Sequence, residues 1–104
     1  MAKYLIIYYG GKIETDPKKM AEINDQWNKW FARLGKGLVD MGGPSQPGKL
    51  VSAKGIKNTG AKSIAGYSIF QAENLDAAVK MLRTSPVVLG GGQAEVYPLI
   101  SMMM

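Results

Sequence analysis

The chain contains no cysteine and no histidine. Without cysteine it forms no disulfide bond and has no thiolate to serve as a nucleophile or metal ligand. Without histidine it lacks the commonest metal-binding side chain, which is also the one whose unperturbed pKa lies nearest to neutral pH. Catalytic triads, catalytic dyads and zinc sites built on these residues are excluded, and the sequence predicts neither a metal nor a cofactor.

Long apolar runs are also missing. The run from Leu5 to Tyr9 falls far short of the roughly 18 consecutive apolar residues that a membrane helix needs, and no cleavage site of small residues follows it. We therefore expect a cytoplasmic protein with no membrane partner. With 104 residues, 46% of them hydrophobic and 20% charged, the chain is typical of a single globular domain that spans residues 1–104.

Acidic residues are absent between Met41 and Ala72, although the net charge of the whole chain is only +5. This stretch carries a cluster of lysines, namely Lys49, Lys54, Lys57 and Lys62. Such a cluster favours anionic partners, but lysines on a solvated hairpin also serve solubility. We favour the solvated hairpin.

The first part of the chain predicts a strand followed by a long helix. Lys3–Tyr9 carries apolar or aromatic side chains on both faces, which is typical of a central strand. A helix then begins at Thr15-Asp16-Pro17, where either polar side chain can cap it. Its apolar stripe runs from Met20 to Leu38, and the helix is expected to end at about Met41. Gly35 and Gly37 inside it indicate either close packing or a local break.

The second part predicts two strands, a short helix and a last strand. The strands Leu50–Ile56 and Ile64–Ala72 form a hairpin. Asn74 caps a helix that carries an apolar stripe as far as Leu82, and Ser85-Pro86 ends it. Gln93–Ile100 is the last strand, and Pro98 inside it indicates an edge position.

This order of elements predicts an α+β domain of the ferredoxin-like βαββαβ type, with one antiparallel sheet and two helices on one face. The other sheet face is then left uncovered. Its apolar side chains come either from Tyr4, Ile6 and Tyr8 or from their alternates, together with members of the set Tyr67, Ile69 and Phe70. Soluble monomers rarely expose so large an apolar patch, so we predict that a second copy covers it in a homodimer.

Four segments that together cover nearly the whole chain carry a resemblance to a known family. They are KYLIIYYGG, WNKWFARLGKGLVDMGGP, GYSIFQAENLDAAVKMLRTSP and GGGQAEVYPLI. In order and spacing they resemble the YCII-related family, in particular its DGPF branch. The resemblance implies a dimeric α+β barrel, in which two ferredoxin-like sheets face one another.

The chain departs from that family at two points. Where the branch has Asp-Gly-Pro-Phe, the sequence reads Asp40-Met41-Gly42-Gly43-Pro44-Ser45, so a small hydroxyl replaces the aromatic ring. For some members the resemblance implies a histidine–aspartate pair, and this chain has no histidine for it. The resemblance therefore leaves Asp40 as a candidate catalytic residue without its partner.

A pocket is expected between the long helix and the sheet, near the dimer seam, because aromatic clefts with a few polar groups are common binding sites. The predicted ligand-binding residues are Tyr8, Trp27, Trp30, Asp40, Ser45 and Tyr67. Core packing is the alternative for the tryptophans, although two of them three positions apart cannot both point into a narrow core.

Each polar candidate also has a structural alternative. Asp40 ends the predicted helix, where the helix dipole disfavours an acid, and it could instead cap a turn. Ser45 lies in a segment rich in glycine and proline, and such segments typically form turns. The run Gly90–Gly92 could hold an anion with its N–H groups, but we favour a plain connection.

Three hypotheses for function follow. The leading one is a homodimer that binds a small organic or aromatic ligand, or a weakly equipped enzyme that acts on one. The alternative is a non-catalytic regulatory module that docks on another polypeptide. RNA binding is the third, because a basic βαββαβ domain is similar to the RNA-recognition motif. The segment from Ala65 to Phe70 lacks the basic and second aromatic residues of that motif, so nucleic acid is not an expected partner.

Overall fold

The structure is a computed structural model that describes residues 1–10, 15–60 and 63–100. Within these ranges it is a mixed α+β fold with three α-helices and six strands in two antiparallel sheets. The strands are β1 (Ala2–Tyr9), β2 (Leu38–Pro44), β3 (Lys49–Ser52), β4 (Gly55–Asn58), β5 (Gly66–Ala72) and β6 (Gln93–Pro98). The helices are α1 (Pro17–Leu34), α2 (Leu75–Leu82) and α3 (Pro86–Leu89). None of the helices in these ranges is long and apolar enough to cross a lipid bilayer.

The larger sheet has the strand order β2-β5-β1-β6. Strand β1 lies between two neighbours, which confirms its predicted central position. Strand β6 lies at an edge, as Pro98 predicted, because a proline has no N–H to give to a second neighbour.

The core lies on one face of this sheet. Tyr4, Ile6 and Tyr8 of β1 are buried, and so are alternate residues of β5, because successive side chains on a strand point to opposite faces. They belong to one buried cluster with Trp30 of α1 and with α2, whose contributions are Ala78 and Leu82. Both long helices therefore pack on the same face of the sheet.

The other face of the sheet carries the alternate side chains and is uncovered by the described parts of the chain. Leu5, Ile7 and Ile69 are half-buried there, and Tyr67 and Tyr97 are exposed. In the register, Ile69 and Tyr97 lie on either side of Leu5, while Tyr67 lies beside Ile7. We call these five residues the open face. They form a continuous apolar surface across the three strands β5, β1 and β6.

Helix α1 begins where the sequence predicted but ends earlier. The Asp16 carboxylate caps it by accepting a hydrogen bond from the Lys18 N–H at 3.0 Å, and Pro17 is its first residue. The predicted end near Met41 is wrong, because Gly35 takes a positive φ of 52° and the chain passes through a single 3₁₀ turn, Gly35–Gly37, into strand β2. Of the two glycines that allowed either a break or close packing, Gly35 marks the break. Gly37 marks close packing, because an added Cβ there would lie 2.7 Å from the Met81 Cε atom.

The strand that follows α1 was missed. The predicted single sheet gave its second position to Leu50–Ile56, but that segment is a hairpin of its own, β3 and β4, paired from Lys49–Asn58 to Ser52–Gly55. Leu38–Pro44 takes the place beside β5 instead. The helical stripe passes through Leu38 at the expected spacing, so the apolar pattern alone could not distinguish the strand from more helix.

The hairpin β3–β4 has no buried residue. Val51 and Ile56, which are paired across it, are 71% and 70% exposed. The solvated lysine hairpin that we favoured agrees with this exposure at Lys49, Lys54 and Lys57, while Lys62 lies outside the described residues. Isolated two-stranded hairpins are marginally stable in water, so this segment is the least supported part of the described fold.

The C-terminal elements agree closely with the sequence. The Asn74 side chain caps α2 by accepting a hydrogen bond from the Ala77 N–H at 2.9 Å. Helix α2 ends at Leu82, and Ser85 caps the one-turn helix α3 that follows, where the sequence predicted only a helix end. Strand β6 begins at Gln93 as predicted and ends at Pro98, two residues before the predicted end at Ile100.

Strand β2 is irregular where it pairs with β5. Its seven residues face only the segment Gly66–Phe70, with register breaks on both sides of Asp40. Gly42 makes this bulge possible, because its φ is 67° and an added Cβ would lie 1.9 Å from the Tyr67 carbonyl oxygen. The Gly42 N–H donates to the Asp40 carboxylate at 2.8 Å, which fixes the turn of the bulge.

We expect Gly42→Ala to destabilise the fold by at least about 2 kcal/mol, from the positive φ and the clash with Tyr67. Gly43→Ala is the matched control, because an added Cβ there meets nothing within 4 Å. It should change stability by less than about 1 kcal/mol. Urea unfolding followed by circular dichroism measures both, and equal effects at the two positions would contradict the assigned bulge.

Candidate functional site

A cleft of about 810 Å³ opens between α1 and the sheet, beside the β2 bulge. Helix α1 forms one wall with side chains from Met20 to Phe31, and the opposite wall comes from the bulge of β2 and the first residues of β5. The end of β1 and the segment from Pro86 to Gly92 close the remaining side. The volume lies in the range of small-molecule sites.

Aromatic rings cluster at the inner end of the cleft in edge-on and tilted pairs. The Trp27 ring meets Tyr8 edge-on at a centroid distance of 5.1 Å, and it lies 5.4 Å from Phe31. Trp30 lies behind them, 5.7 Å from Trp27 and 5.5 Å from Phe70 in the core. Edge-to-face pairs at such distances hold rings in fixed orientations, so the aromatic wall of the cleft is continuous with the core.

Two hydroxyl groups and a carbonyl form a hydrogen-bonded chain along the cleft. The Tyr8 hydroxyl donates to the Ser68 hydroxyl oxygen at 2.9 Å. The Ser68 hydroxyl donates in turn to the Met41 carbonyl oxygen at 2.7 Å. All three residues line the cleft. We call this chain the Tyr8 relay; it joins β1, β5 and the bulge of β2.

The part of the cleft that the described residues form has no formal charge. None of the described residues that line it is aspartate, glutamate, lysine or arginine. Burial raises the pKa of Tyr8 to about 12, although the Ser68 hydrogen bond acts in the opposite direction. The Tyr8 hydroxyl therefore stays protonated at neutral pH, and the site is apolar with a neutral polar floor.

The structure brings three of the six predicted site residues into the cleft. Tyr8, Trp27 and Tyr67 line it, and Tyr67 does so while 39% exposed. Trp30 does not line it, because that side chain is only 3% exposed and its indole Nε1 has no hydrogen-bond partner in the described structure. Of the two tryptophans, Trp27 faces the cleft and Trp30 the core.

The two remaining predicted residues lie outside the cleft. Asp40 belongs to β2, so the predicted conflict with a helix dipole does not exist, and its carboxylate accepts from the Gly42 N–H as a turn cap does. Ser45 donates its hydroxyl hydrogen to the Gln46 carbonyl, and its N–H bonds the Ala65 carbonyl. Both make local hydrogen bonds that explain their positions without a ligand.

The run Gly90–Gly92 lines the cleft in part but does not offer an anion site. The N–H groups of Gly90, Gly91 and Gly92 donate to the carbonyls of Pro86, Val88 and Val87, respectively. Because these donors are already used, the plain connection that we favoured agrees with the structure.

Several residues of the cleft were not predicted from the sequence. Ser68 was one of them, although it is the one polar side chain in the buried set of β5, which otherwise consists of Gly66, Phe70 and Ala72. A single polar residue among the buried residues of the strand was the signal that could have identified Ser68 from the sequence. Ile23 and Met20 lie on the same helical stripe as Trp27, and the structure leaves both of them exposed in the wall of the cleft.

The open face has a polar group at one side. Glu95 lies opposite Ile7 in the register, between Tyr9 and Tyr97. Hydrogen bonds with the Glu95 side chain raise the pKa of Tyr9 to about 12 and also raise the pKa of Tyr97. The Glu95 carboxylate therefore has hydroxyl partners where it lies in an otherwise apolar surface.

Within residues 1–10, 15–60 and 63–100, no three acidic side chains come together as metal ligands would. In comparison with known proteins, no protein-family model matches the chain and no curated protein matches it significantly. The YCII-related resemblance therefore stays a prediction from the sequence.

The raised pKa of Tyr8 predicts a pH dependence of stability. Since the folded-state pKa of about 12 lies above the unfolded value of 10.0, the stabilisation is complete below pH 10 and is lost as the pH rises towards 12. Between those values wild type should lose about 1 to 3 kcal/mol more than Tyr8→Phe. Urea unfolding at pH 8, 10, 11 and 12 measures this, and parallel pH profiles would argue against the burial of the hydroxyl.

Proposed function

We propose that the protein binds a small aromatic molecule in the cleft between α1 and the sheet, and that it acts as a homodimer. The observation that carries the ligand proposal is the cleft itself, whose rings and neutral polar floor are already ordered by the core. Sites for small molecules are typically apolar, aromatic and equipped with a few fixed polar groups.

Binding is favoured over catalysis by the chemistry of the lining. General acid–base catalysis needs a group whose pKa lies near the working pH. Tyr8, with its pKa raised to about 12, is a poor base at neutral pH. Asp40, the candidate catalytic residue, lies outside the cleft and caps the bulge. A binding protein therefore fits these residues better than the weakly equipped enzyme.

The larger sheet supports the ferredoxin-like part of the proposal. With the hairpin β3–β4 set aside, the connections β1-α1-β2 and β5-α2-β6 each pass over one intervening strand. Two such interlocked βαβ units are what a ferredoxin-like domain contains. We infer a domain of that type with an inserted hairpin, in line with the resemblance to the YCII-related family.

The open face supports the homodimer. In the described parts of the chain, helices cover only one face of the sheet, and the molecule is 19 Å thin along its shortest axis. An apolar face that crosses three strands is typical of an association surface. A second copy related by a two-fold axis meets it with the same apolar side chains. The Tyr9 and Tyr97 hydroxyls form hydrogen bonds with the Glu95 side chain, so this carboxylate already has partners within one protomer.

Ile7→Asp tests the dimer, because Ile7 lies on the central strand of the open face. A carboxylate buried there without a partner costs several kcal/mol, so we expect the dimer dissociation constant to rise at least about 100-fold. Sedimentation equilibrium at micromolar concentrations measures the change, and circular dichroism checks the fold.

Ile56→Asp is the matched control, because Ile56 is an isoleucine of the exposed hairpin. It should leave the dimer intact. A wild-type chain that sediments as a monomer at tens of micromolar would contradict the proposed dimer, and dissociation by Ile56→Asp alone would place the interface on the hairpin instead.

The ligand site is tested by titrating the protein with naphthalene derivatives while following tryptophan fluorescence, since the Trp27 ring lines the cleft. Ile23→Arg places a long charged side chain in the cleft from the exposed side of α1. It should weaken binding at least about tenfold, because the apolar lining is lost and a charge is introduced.

Val79→Arg is the control for this titration. Val79 is an exposed apolar residue of α2 that lines a smaller surface pocket, of about 330 Å³, away from the cleft. The variant should bind as wild type does. No fluorescence change with any derivative, or loss of binding in Val79→Arg alone, would refute the assignment of the ligand to the cleft.

A further inference from the structure

The direction of the Tyr8 relay follows from the chemistry of its three members. The Met41 carbonyl can only accept, so the Ser68 hydroxyl must give its single hydrogen to that carbonyl. Ser68 then has only lone pairs left for its other neighbour. The Tyr8 hydroxyl must therefore give its own hydrogen to Ser68, over a distance of 2.9 Å.

A ligand that meets Tyr8 consequently finds an acceptor and no donor. Both hydroxyl hydrogens of the relay already form hydrogen bonds within the protein. The Tyr8 hydroxyl oxygen can therefore only accept a further hydrogen bond, through a lone pair. The N–H of Gly42 at the bulge is also committed, to the Asp40 carboxylate. The floor of the cleft therefore favours a ligand that brings a hydrogen of its own.

The lack of charged side chains among the described lining residues narrows the class of ligand further. An anionic ligand would lose its hydration in the cleft without gaining a cationic partner among the described lining residues. The side-chain amides that line the cleft, on Asn24, Gln26 and Asn28, belong to exposed positions of α1. They lie at the solvent side of the cleft, where an anion keeps most of its water and gains little.

We propose that the ligand is an uncharged aromatic molecule that donates a hydrogen bond, through a hydroxyl or amino group, to the hydroxyl oxygen of Tyr8. This inference rests on the proposed function and names the class of ligand that the cleft takes. Trp27 and Phe31 supply the aromatic contacts, and the Tyr8 relay selects for the donor group.

Three probes of the same ring system test the proposal. 2-Naphthol is uncharged at pH 7 and carries a donor, 2-methoxynaphthalene has the oxygen without the hydrogen, and 2-naphthoate is an anion. Titration at pH 7, followed by tryptophan fluorescence, should show 2-naphthol binding about tenfold more tightly than 2-methoxynaphthalene, the difference expected for one hydrogen bond. 2-Naphthoate should bind more weakly than either.

Two variants separate the hydrogen bond from the fold. Tyr8→Phe removes the acceptor, so its affinity for 2-naphthol should fall to that for 2-methoxynaphthalene, whose own affinity should stay within about threefold of wild type. Ser68→Ala instead frees the Tyr8 hydrogen to donate, so the preference for 2-naphthol should shrink while both probes still bind. Circular dichroism at the titration temperature confirms that each variant is folded.

The outcomes distinguish this inference from the proposed function. If all three probes bind with equal affinity, or if 2-naphthoate binds best, the cleft holds aromatic ligands but the relay does not select them, and the inference fails alone. If none of the probes binds to wild type, the ligand proposal and this inference fail together. An unchanged preference for 2-naphthol in Tyr8→Phe would also overturn the role of Tyr8.

Discussion

The hydrogen bond from the Ser68 hydroxyl to the Met41 carbonyl joins the edge strand β2 to the buried face of the sheet where β2 is most irregular. The bulge turns a carbonyl that a regular ladder would give to a neighbouring strand towards a side chain instead. Gly42, which adopts a positive φ beneath Tyr67, allows that turn. The shape of the cleft and the direction of its polar floor both follow from this one departure from regular pairing.

The same bond explains how a polar group can lie in the core. Ser68 is fully buried among apolar neighbours, and a hydroxyl left there without partners would cost about 1 to 3 kcal/mol. Its hydrogen goes to Met41 and its oxygen accepts from Tyr8, so neither group lacks a partner. The satisfied pair fixes the Tyr8 ring, and the ring in turn orders Trp27 edge-on beside it. The hydrogen bonds of Ser68 and the packing of the Tyr8 and Trp27 rings therefore depend on one another.

The sequence predicted those elements whose signals are local. The cap at Thr15 or Asp16, the Asn74 cap and the edge position of Pro98 each depend on one or two neighbouring residues. The central strand β1 depends on the uninterrupted apolar pattern of a single short segment. Strand β2 was missed because Leu38 continues the helical spacing, and only the backbone angle of Gly35 ends the helix before it. Because of that one error, the prediction placed Asp40 at the end of a helix and assigned the second strand to Leu50–Ile56. Three of the candidate aromatic residues line the cleft and Trp30 does not, because their depth depends on where α1 ends and how it lies on the sheet.

The two proposed surfaces meet at one side chain. Tyr67 lies beside Ile7 on the open face, and it also lines the cleft beside the β2 bulge. A partner that covers the open face and a ligand that fills the cleft therefore both contact the same residue. Because binding free energies are linked, any change that a ligand makes in dimer affinity through Tyr67 is matched by an equal change that dimerisation makes in ligand affinity. Tyr67 belongs to the inner strand β5, so the residue that connects the two proposed surfaces is part of the sheet itself.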